Sequence, residues 1–505
     1  MTNGHEGVPI RKLPTGVPGL DDVLGGGLPE LSFNLVVGGP GSGKTTLAHQ
    51  IMFANVTAQR RGLYFTIVGE PPLKMLRYQQ QYRFFDPAKM NGMIRFSSLS
   101  GEIQLGLPAV LESIVRQVEA VSPGWVVVDS FRSVLRVNGR EGAPEVQDFV
   151  QRLALHLTAW EATTFLLGEF PGTEAENHPV FTVADGLVVL SQQTERNSVV
   201  RKIRVVKMRG QSDLPGLHTF RITRDGLSVF PRLPKPEEEE SASTEVSIAP
   251  DQERLSTGIR RLDEMLGGGV PRGYSVMVAG PSGSGKTVLS GQFIVEGVRR
   301  GEPGVIAIFE KRPSRYLQTT SLGRDLGQMI HDGQVAMVYL RPLDLSVDET
   351  LYELRQTIAR TNARRVTIDS LSGFEMAVSP GFREDFRESL YRLVGVLTGL
   401  GVTVMMTLEI QDANTEFRLG PRENAFLTDA IVLQRYVELD GTLKRLMTVV
   451  KVRGSDHSTD LRLYEVTPVG LTIGDAIRGY HHGLLTADPV GGSRRPPPPR
   501  AGEGR

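Results

Sequence analysis

Two stretches of this 505-residue chain have the residue types and spacing to grip a polyphosphate. Gly38-Gly39-Pro40-Gly41-Ser42-Gly43-Lys44-Thr45 and Gly280-Pro281-Ser282-Gly283-Ser284-Gly285-Lys286-Thr287 both spell G-x-x-x-x-G-K-[ST], the pattern of a phosphate-binding P-loop. Glycines let main-chain N–H groups close around the phosphates, and the start of the following helix adds positive potential. Lys44 or Lys286 would neutralise the β- and γ-phosphates, and the Thr45 or Thr287 hydroxyl would ligate Mg²⁺. Thr46 and Val288, next in each chain segment, complete the candidate nucleotide-binding residues.

Carboxylates recur at matching places. Asp129-Ser130 closes the apolar run Trp125 to Val128, and Asp369-Ser370 closes Arg365 to Ile368. An Asp ending a strand is usually a turn former. Two of them 240 residues apart favour a functional role, because the carboxyl end of a parallel strand lies beside the P-loop, where an Asp positions the metal. The runs Leu63 to Val68 and Val305 to Phe309 lead to Glu70 and Glu310, candidate bases for an attacking water. Further strands, Thr164 to Gly168 and Thr403 to Leu408, end at Glu169 and Glu409. Each half closes with a β-rich segment carrying Lys-x-Arg before a glycine: Lys207 and Arg209, then Lys451 and Arg453. One such pair on a strand is ordinarily a solvated edge. Its repetition favours a directed role.

The elements that must hold these groups follow from the flanking patterns. Apolar runs precede both loops (Phe33 to Val37, Ser275 to Ala279) and helical patterns follow, so strand, loop and helix are expected in each case. The two P-loop lysines stand 242 residues apart, close to half the chain, which marks a duplicated domain. The lead-ins P-T-G-V-P-G-L-D-D-V-L-G-G-G and S-T-G-I-R-R-L-D-E-M-L-G-G-G repeat as well. The expected organisation is an α/β protein with a mostly parallel sheet and flanking helices in each domain, at 10–232 and 253–477. An acidic Pro/Ser linker would occupy 233–252 and a disordered Pro-rich tail 478–505.

The 57 basic and 57 acidic side chains cancel, which argues against a nucleic-acid coat or a membrane-surface protein. With no cysteine there is no disulfide, thiol nucleophile or cysteine-ligated zinc. Neither a signal peptide nor a membrane-spanning run is legible, and a cytoplasmic location is expected. Histidines such as His49, His156, His481 and His482 show no ligand spacing.

Paired P-loops with this lead-in, the Asp-Ser strand ends and the K-x-R-G closures resemble the KaiC family of RecA-like ATPases, over roughly Leu13 to Ile477. The resemblance implies two tandem RecA-like P-loop NTPase domains in a double-ring homohexamer, with ATP, as the nucleotide of both P-loops, and Mg²⁺ at subunit interfaces. It further implies that Lys207, Arg209, Lys451 and Arg453 reach the neighbour's γ-phosphate, in the role of an arginine finger. Partner proteins of a signalling or timing switch would come with it. Two features depart from the family's clock protein. Its paired glutamates read here as Gly69-Glu70 and Glu310-Lys311, leaving one carboxylate at each site. Its Ser-Thr phospho-acceptor pair falls at Ala425 and Phe426, which have no hydroxyl, with Thr428 the nearest one. Serine/threonine autokinase activity is therefore weakened, and the main expectation is an ATP-hydrolysing switch. The alternative is a RecA-type DNA recombination or helicase ATPase. It would need basic loops, yet Arg132, Arg136, Arg383 and Arg387 sit among Glu141, Glu145, Glu384, Asp385 and Glu388.

Overall fold

A computed structural model of the protein describes residues 10–67, 72–129, 144–169, 179–195, 198–232, 253–340, 346–378, 386–410, 428–439 and 441–477. The chain forms two compact units that divide between Leu233 and Pro234.

The first unit opens with a ribbon of β1 (Lys12–Leu13) and β2 (Leu28–Pro29) around the short helix Leu20–Val23. Thr15 N donates to Asp21 Oδ1 at 2.9 Å. In the second unit Thr257 donates to Asp263 Oδ1 from both N (2.7 Å) and Oγ1 (2.6 Å). The repeated T-G-x-x-x-L-D lead-in is thus a structural clamp that ties the ribbon to its helix.

A nine-stranded sheet follows, built from β3 (Phe33–Gly38), β4 (Gly62–Thr66), β5 (Ile94–Ser98), β6 (Trp125–Asp129), β7 (Thr163–Gly168), β8 (Gly186–Glu195), β9 (Ser198–Met208), β10 (His218–Thr223) and β11 (Gly226–Phe230). Its order is β11-β10-β9-β8-β3-β7-β6-β4-β5. The strands from β8 to β5 are parallel; β9, β10 and β11 continue the sheet antiparallel. The P-loop strand β3 is central, and each of its residues is buried, as expected of a parallel strand covered on both faces.

The second unit repeats this plan. A ribbon of β12 (Arg254–Leu255) and β13 (Val270–Pro271) precedes β14 (Ser275–Gly280), β15 (Gly304–Ile308), β16 (Val335–Tyr339), β17 (Arg365–Asp369), β18 (Thr403–Glu409), β19 (Ala430–Leu439), β20 (Thr442–Val452), β21 (Arg462–Thr467) and β22 (Gly470–Ala476). The order β16-β15-β17-β18-β14-β19-β20-β21-β22 matches the first sheet strand for strand. The expected α/β class, with mostly parallel sheets and flanking helices, is what both units show. Among the described residues no helix is long and apolar enough to cross a membrane.

The cores have diverged at one equivalent position. Trp125 starts β6, fully buried and stacked on Phe165 at 6.1 Å between centroids. Arg365 starts β17, also fully buried. Its Nε donates to Glu302 Oε2 at 2.7 Å, its Nη1 to the carbonyls of Ser256 and Phe293, and its guanidinium lies over the Phe293 ring. A charge buried this deeply is held only because it is paired and hydrogen-bonded. We expect Arg365→Met to destabilise the second unit by about 3 kcal/mol, the lower end for a broken buried ion pair. Arg272 limits the loss because it still contacts Glu302, at 3.0 Å. Urea unfolding followed by circular dichroism measures it.

Candidate active sites

Each P-loop turns into its helix through a glycine in the left-handed region, Gly43 at φ 100° and Gly285 at φ 101°. The left-handed backbone at Gly43 demands glycine, and a Cβ there would also push on the tip of Ile222, 2.7 Å away. In the helices Lys44–Asn55 and Lys286–Arg299 the first N–H groups to find an intrahelical carbonyl are those of Leu47 and Leu289. The preceding N–H groups, of Lys44, Thr45 and Thr46 and of Lys286, Thr287 and Val288, face out of the helix end, where an anion binds. The Val288 side chain itself is buried in the core, so its main chain alone can serve a ligand.

The lysines curl over their own loops. Lys44 Nζ donates to Gly38 O (2.9 Å) and Gly39 O (2.8 Å), and Lys286 Nζ to Gly280 O (2.8 Å) and Pro281 O (2.7 Å). Burial lowers both lysine pKa values, opposed by carboxylates. For Lys44 these are Glu169 and Asp129; for Lys286 they are Glu409, Asp369 and Glu310. Glu409 pairs in register with Gly280, and Glu169 follows Gly168, the partner of Val37, so both stand beside the P-loops. Their shared spacing of 240 residues, the same as that of the Asp pair, is the signal that could have assigned them a role.

In the first site Thr45 Oγ1 donates to Asp129 Oδ2 at 2.9 Å, which joins two residues 84 positions apart. Tyr64 Oη donates to the same oxygen at 2.8 Å. Burial raises the Asp129 pKa against the pull of these two bonds and of Lys44. The Tyr64 ring stacks on His49, 4.4 Å between centroids, and burial brings the His49 pKa down to about 4, so this imidazole stays neutral. The stacked His49 ring holds Tyr64 in place.

The second site is arranged otherwise. Thr287 makes no hydrogen bond to Asp369; Thr407 Oγ1 donates to Asp369 Oδ1 at 2.5 Å instead. The phenol near this carboxylate is Tyr316, from the helix Pro313–Thr319. Burial and Asp369 push the Tyr316 pKa well up, yet its hydroxyl forms no well-shaped hydrogen bond. Tyr464 Oη donates to Ser284 O (2.6 Å) and Tyr436 Oη to Ser282 O (3.3 Å), bracing the second P-loop from behind.

Glu310 is exposed and accepts from Ser370 Oγ at 3.2 Å; Ser370 also caps the helix Leu371–Ala377 by accepting from Gly373 N. A Cβ at Gly373 would lie 2.4 Å from Glu310 Oε1, so glycine there gives the carboxylate its room. Lys311 forms no ion pair with Glu310. Glu70, Ala425 and Phe426 lie outside the described residues. Thr428 is fully buried.

The K-x-R residues lie far from their own P-loops. Arg209 N donates to Asp185 O, and Asp185 N to Phe33 O, which sets Arg209 level with the first residue of β3. Arg453, Asp429 and Ser275 repeat this at the start of β14. The P-loops begin five residues further along those strands, about 16 Å away at the rise of a β-strand. Lys207 Nζ donates to Ala184 O and Lys451 Nζ to Thr428 O.

A family model described as "ATPase: KaiC" matches residues 13–234 and again 255–477. The chain belongs to the KaiC family of ATPases. Circadian clock oscillator protein KaiC of Picosynechococcus sp. is 27% identical over 494 residues, which cover 95% of this chain and 93% of that one. Circadian clock oscillator protein KaiC 1 of Synechocystis sp. is 26% identical over 497 residues, covering 95% and 92%. The KaiC protein of Nostoc sp. is 26% identical over 496 residues with the same coverage. The expected resemblance holds, and the two sheets are the tandem RecA-like domains of a KaiC ATPase. The recombination or helicase alternative is not favoured by these relatives.

Proposed function

We propose that this KaiC-family protein is an ATP-hydrolysing homohexameric ring that acts as a signalling or timing switch, each nucleotide being clamped between neighbouring subunits. The observation that carries it is the placement of the K-x-R pairs, at the end of each sheet away from the P-loop and identical in both units. Arg209 and Arg453 are 58% and 60% exposed, beyond reach of their own loop and accessible to another copy. A head-to-tail contact of this kind gives a ring when its rotation closes.

Within each site the loop amides and Lys44 or Lys286 would bind the triphosphate. Glu70 or Glu310 would orient and deprotonate water, and the neighbour's Lys207 and Arg209, or Lys451 and Arg453, would stabilise charge building on the γ-phosphate. A hydroxyl and a carboxylate are hard oxygen donors suited to Mg²⁺, and the Thr45–Asp129 contact brings such a pair together. Thr45 with Asp129, and Thr287 with Asp369, would hold the ion, which neutralises phosphate charge. Two domains bounded near 10–232 and 253–477, partner proteins that read the ring and a cytoplasmic location complete the proposal. An autokinase of the clock type would need a hydroxyl where Ala425 and Phe426 stand, so no label from γ-labelled ATP is expected on the chain.

Native mass measurement should give a hexamer with ATP. Glu70→Gln and Glu310→Gln should each remove one unit's share of phosphate release, by about 100-fold or more at that site, the worth of a general base. A wild-type chain that stays monomeric with ATP and releases no phosphate sinks the reading.

A further inference from the structure

The carboxylate beside each K-x-R pair has two jobs. Asp185 Oδ1 accepts from Arg209 Nη1 at 3.4 Å, and its Oδ2 accepts from Phe33 N at 3.0 Å. Asp429 repeats this, with Oδ1 to Arg453 Nη1 at 3.1 Å and Oδ2 to Ser275 N at 3.0 Å and Ser275 Oγ at 2.7 Å. Phe33 and Ser275 are the first residues of β3 and β14, the strands that run straight into the P-loops. One side chain therefore joins the cation offered to the neighbour and the strand that carries the subunit's own phosphate loop.

We infer that Asp185 and Asp429 are positioning residues that pass the occupancy of the neighbour's nucleotide site to the subunit's own P-loop, and so make ATP binding cooperative around the ring. The inference rests on the proposed trans role of the K-x-R pair. The carboxylate and a neighbour's γ-phosphate compete for one guanidinium. When triphosphate wins, Oδ1 loses the guanidinium and the carboxylate keeps its bonds to the β3 or β14 end. A ligand moves an equilibrium only through a difference in interaction between two states, and this exchange of partners supplies one. The arrangement is specific in its atoms. In both units the same oxygen faces the arginine and the other faces the strand, and the Asp main chain lies between them, its N–H on the P-loop strand and its carbonyl on the arginine's N–H.

Asp185→Asn tests it in the full-length chain. The amide keeps an oxygen for the Phe33 N–H but turns N–H groups toward the guanidinium, which frees Arg209. Ring assembly by native mass and phosphate release are followed against ATP concentration. The half-assembly concentration should fall about two- to fivefold, the size of an exposed ion pair, and the Hill coefficient should drop toward that of independent sites. Arg209→Ala should impair assembly or turnover, and adding Asp185→Asn to it should change nothing further. An Asp185→Asn protein with the wild-type half-point and Hill coefficient overturns the inference. So does an effect that persists undiminished in the Arg209→Ala background, which would mark a purely structural residue. If Arg209→Ala alone assembles and turns over as wild type, the trans reading itself has failed, a result distinct from either. Should Asp185→Asn not fold, Asp429→Asn with Arg453→Ala carries the same test.

Discussion

A chain carrying both Arg209→Ala and Arg453→Ala should hydrolyse ATP about a thousandfold more slowly than wild type, the lower end of what an arginine finger contributes. Its two units should stay folded. Each arginine is more than half exposed, and its ion pair to Asp185 or Asp429 contributes little to stability. ATP should still bind, because the P-loop amides and lysines are untouched. The decisive measurement is mixing. A second inactive chain, Lys44→Ala with Lys286→Ala, has intact arginines and crippled loops. Combined in equal amounts, the two should recover about a quarter of wild-type turnover, since random assembly of a closed ring pairs an intact loop with an intact arginine at about one interface in four. If every site were completed within its own chain, no mixture could work. Continued inactivity in rings shown by mass to be mixed would remove the trans mechanism.

The lysine variant should by itself lose ATP. Lys44 and Lys286 are buried, 6% and 9% exposed, and each is held by two loop carbonyls that a phosphate would displace as partners. Burial lowers their pKa values while Glu169 and Asp129, or Glu409, Asp369 and Glu310, work to keep the charge. A cation so placed is poorly hydrated and gains much from an anion. Truncating one partner of a buried charge pair costs about 2–5 kcal/mol, so ATP affinity at each altered site should fall roughly 30-fold or more. Equilibrium dialysis with ATP on the two single variants would count the loss site by site. Unchanged stoichiometry and affinity in both would take the phosphate role away from these lysines.

Much of this was legible in the residues because the chain says everything twice. The P-loops, the Asp strand ends and the lead-ins recur at nearly constant offsets, and continuous apolar runs such as Trp125 to Val128 mark buried parallel strands. The spatial logic was harder to read. That K-x-R lies a full strand length from its own loop depends on β9 running antiparallel to β8, which places its end beside the start of β3. No local pattern reports such a neighbour. The two phenols near the Asp carboxylates share no offset either. Tyr64 comes from a strand and Tyr316 from a helix beyond the next loop, so the duplication that exposed the other groups conceals these. Asp185 is singled out by its contacts alone, which give it two partners.

The exchange of Trp125 for Arg365 has a practical outcome. The chain's two tryptophans, Trp125 and Trp160, both belong to the first unit. Indole emission excited beyond the tyrosine band therefore reports on one half of the molecule, with Trp125 starting from a fully sealed environment. The other half is dark at that wavelength. Melting the two halves can be told apart in an unlabelled sample, by comparing the emission shift with a signal such as ellipticity that sees both.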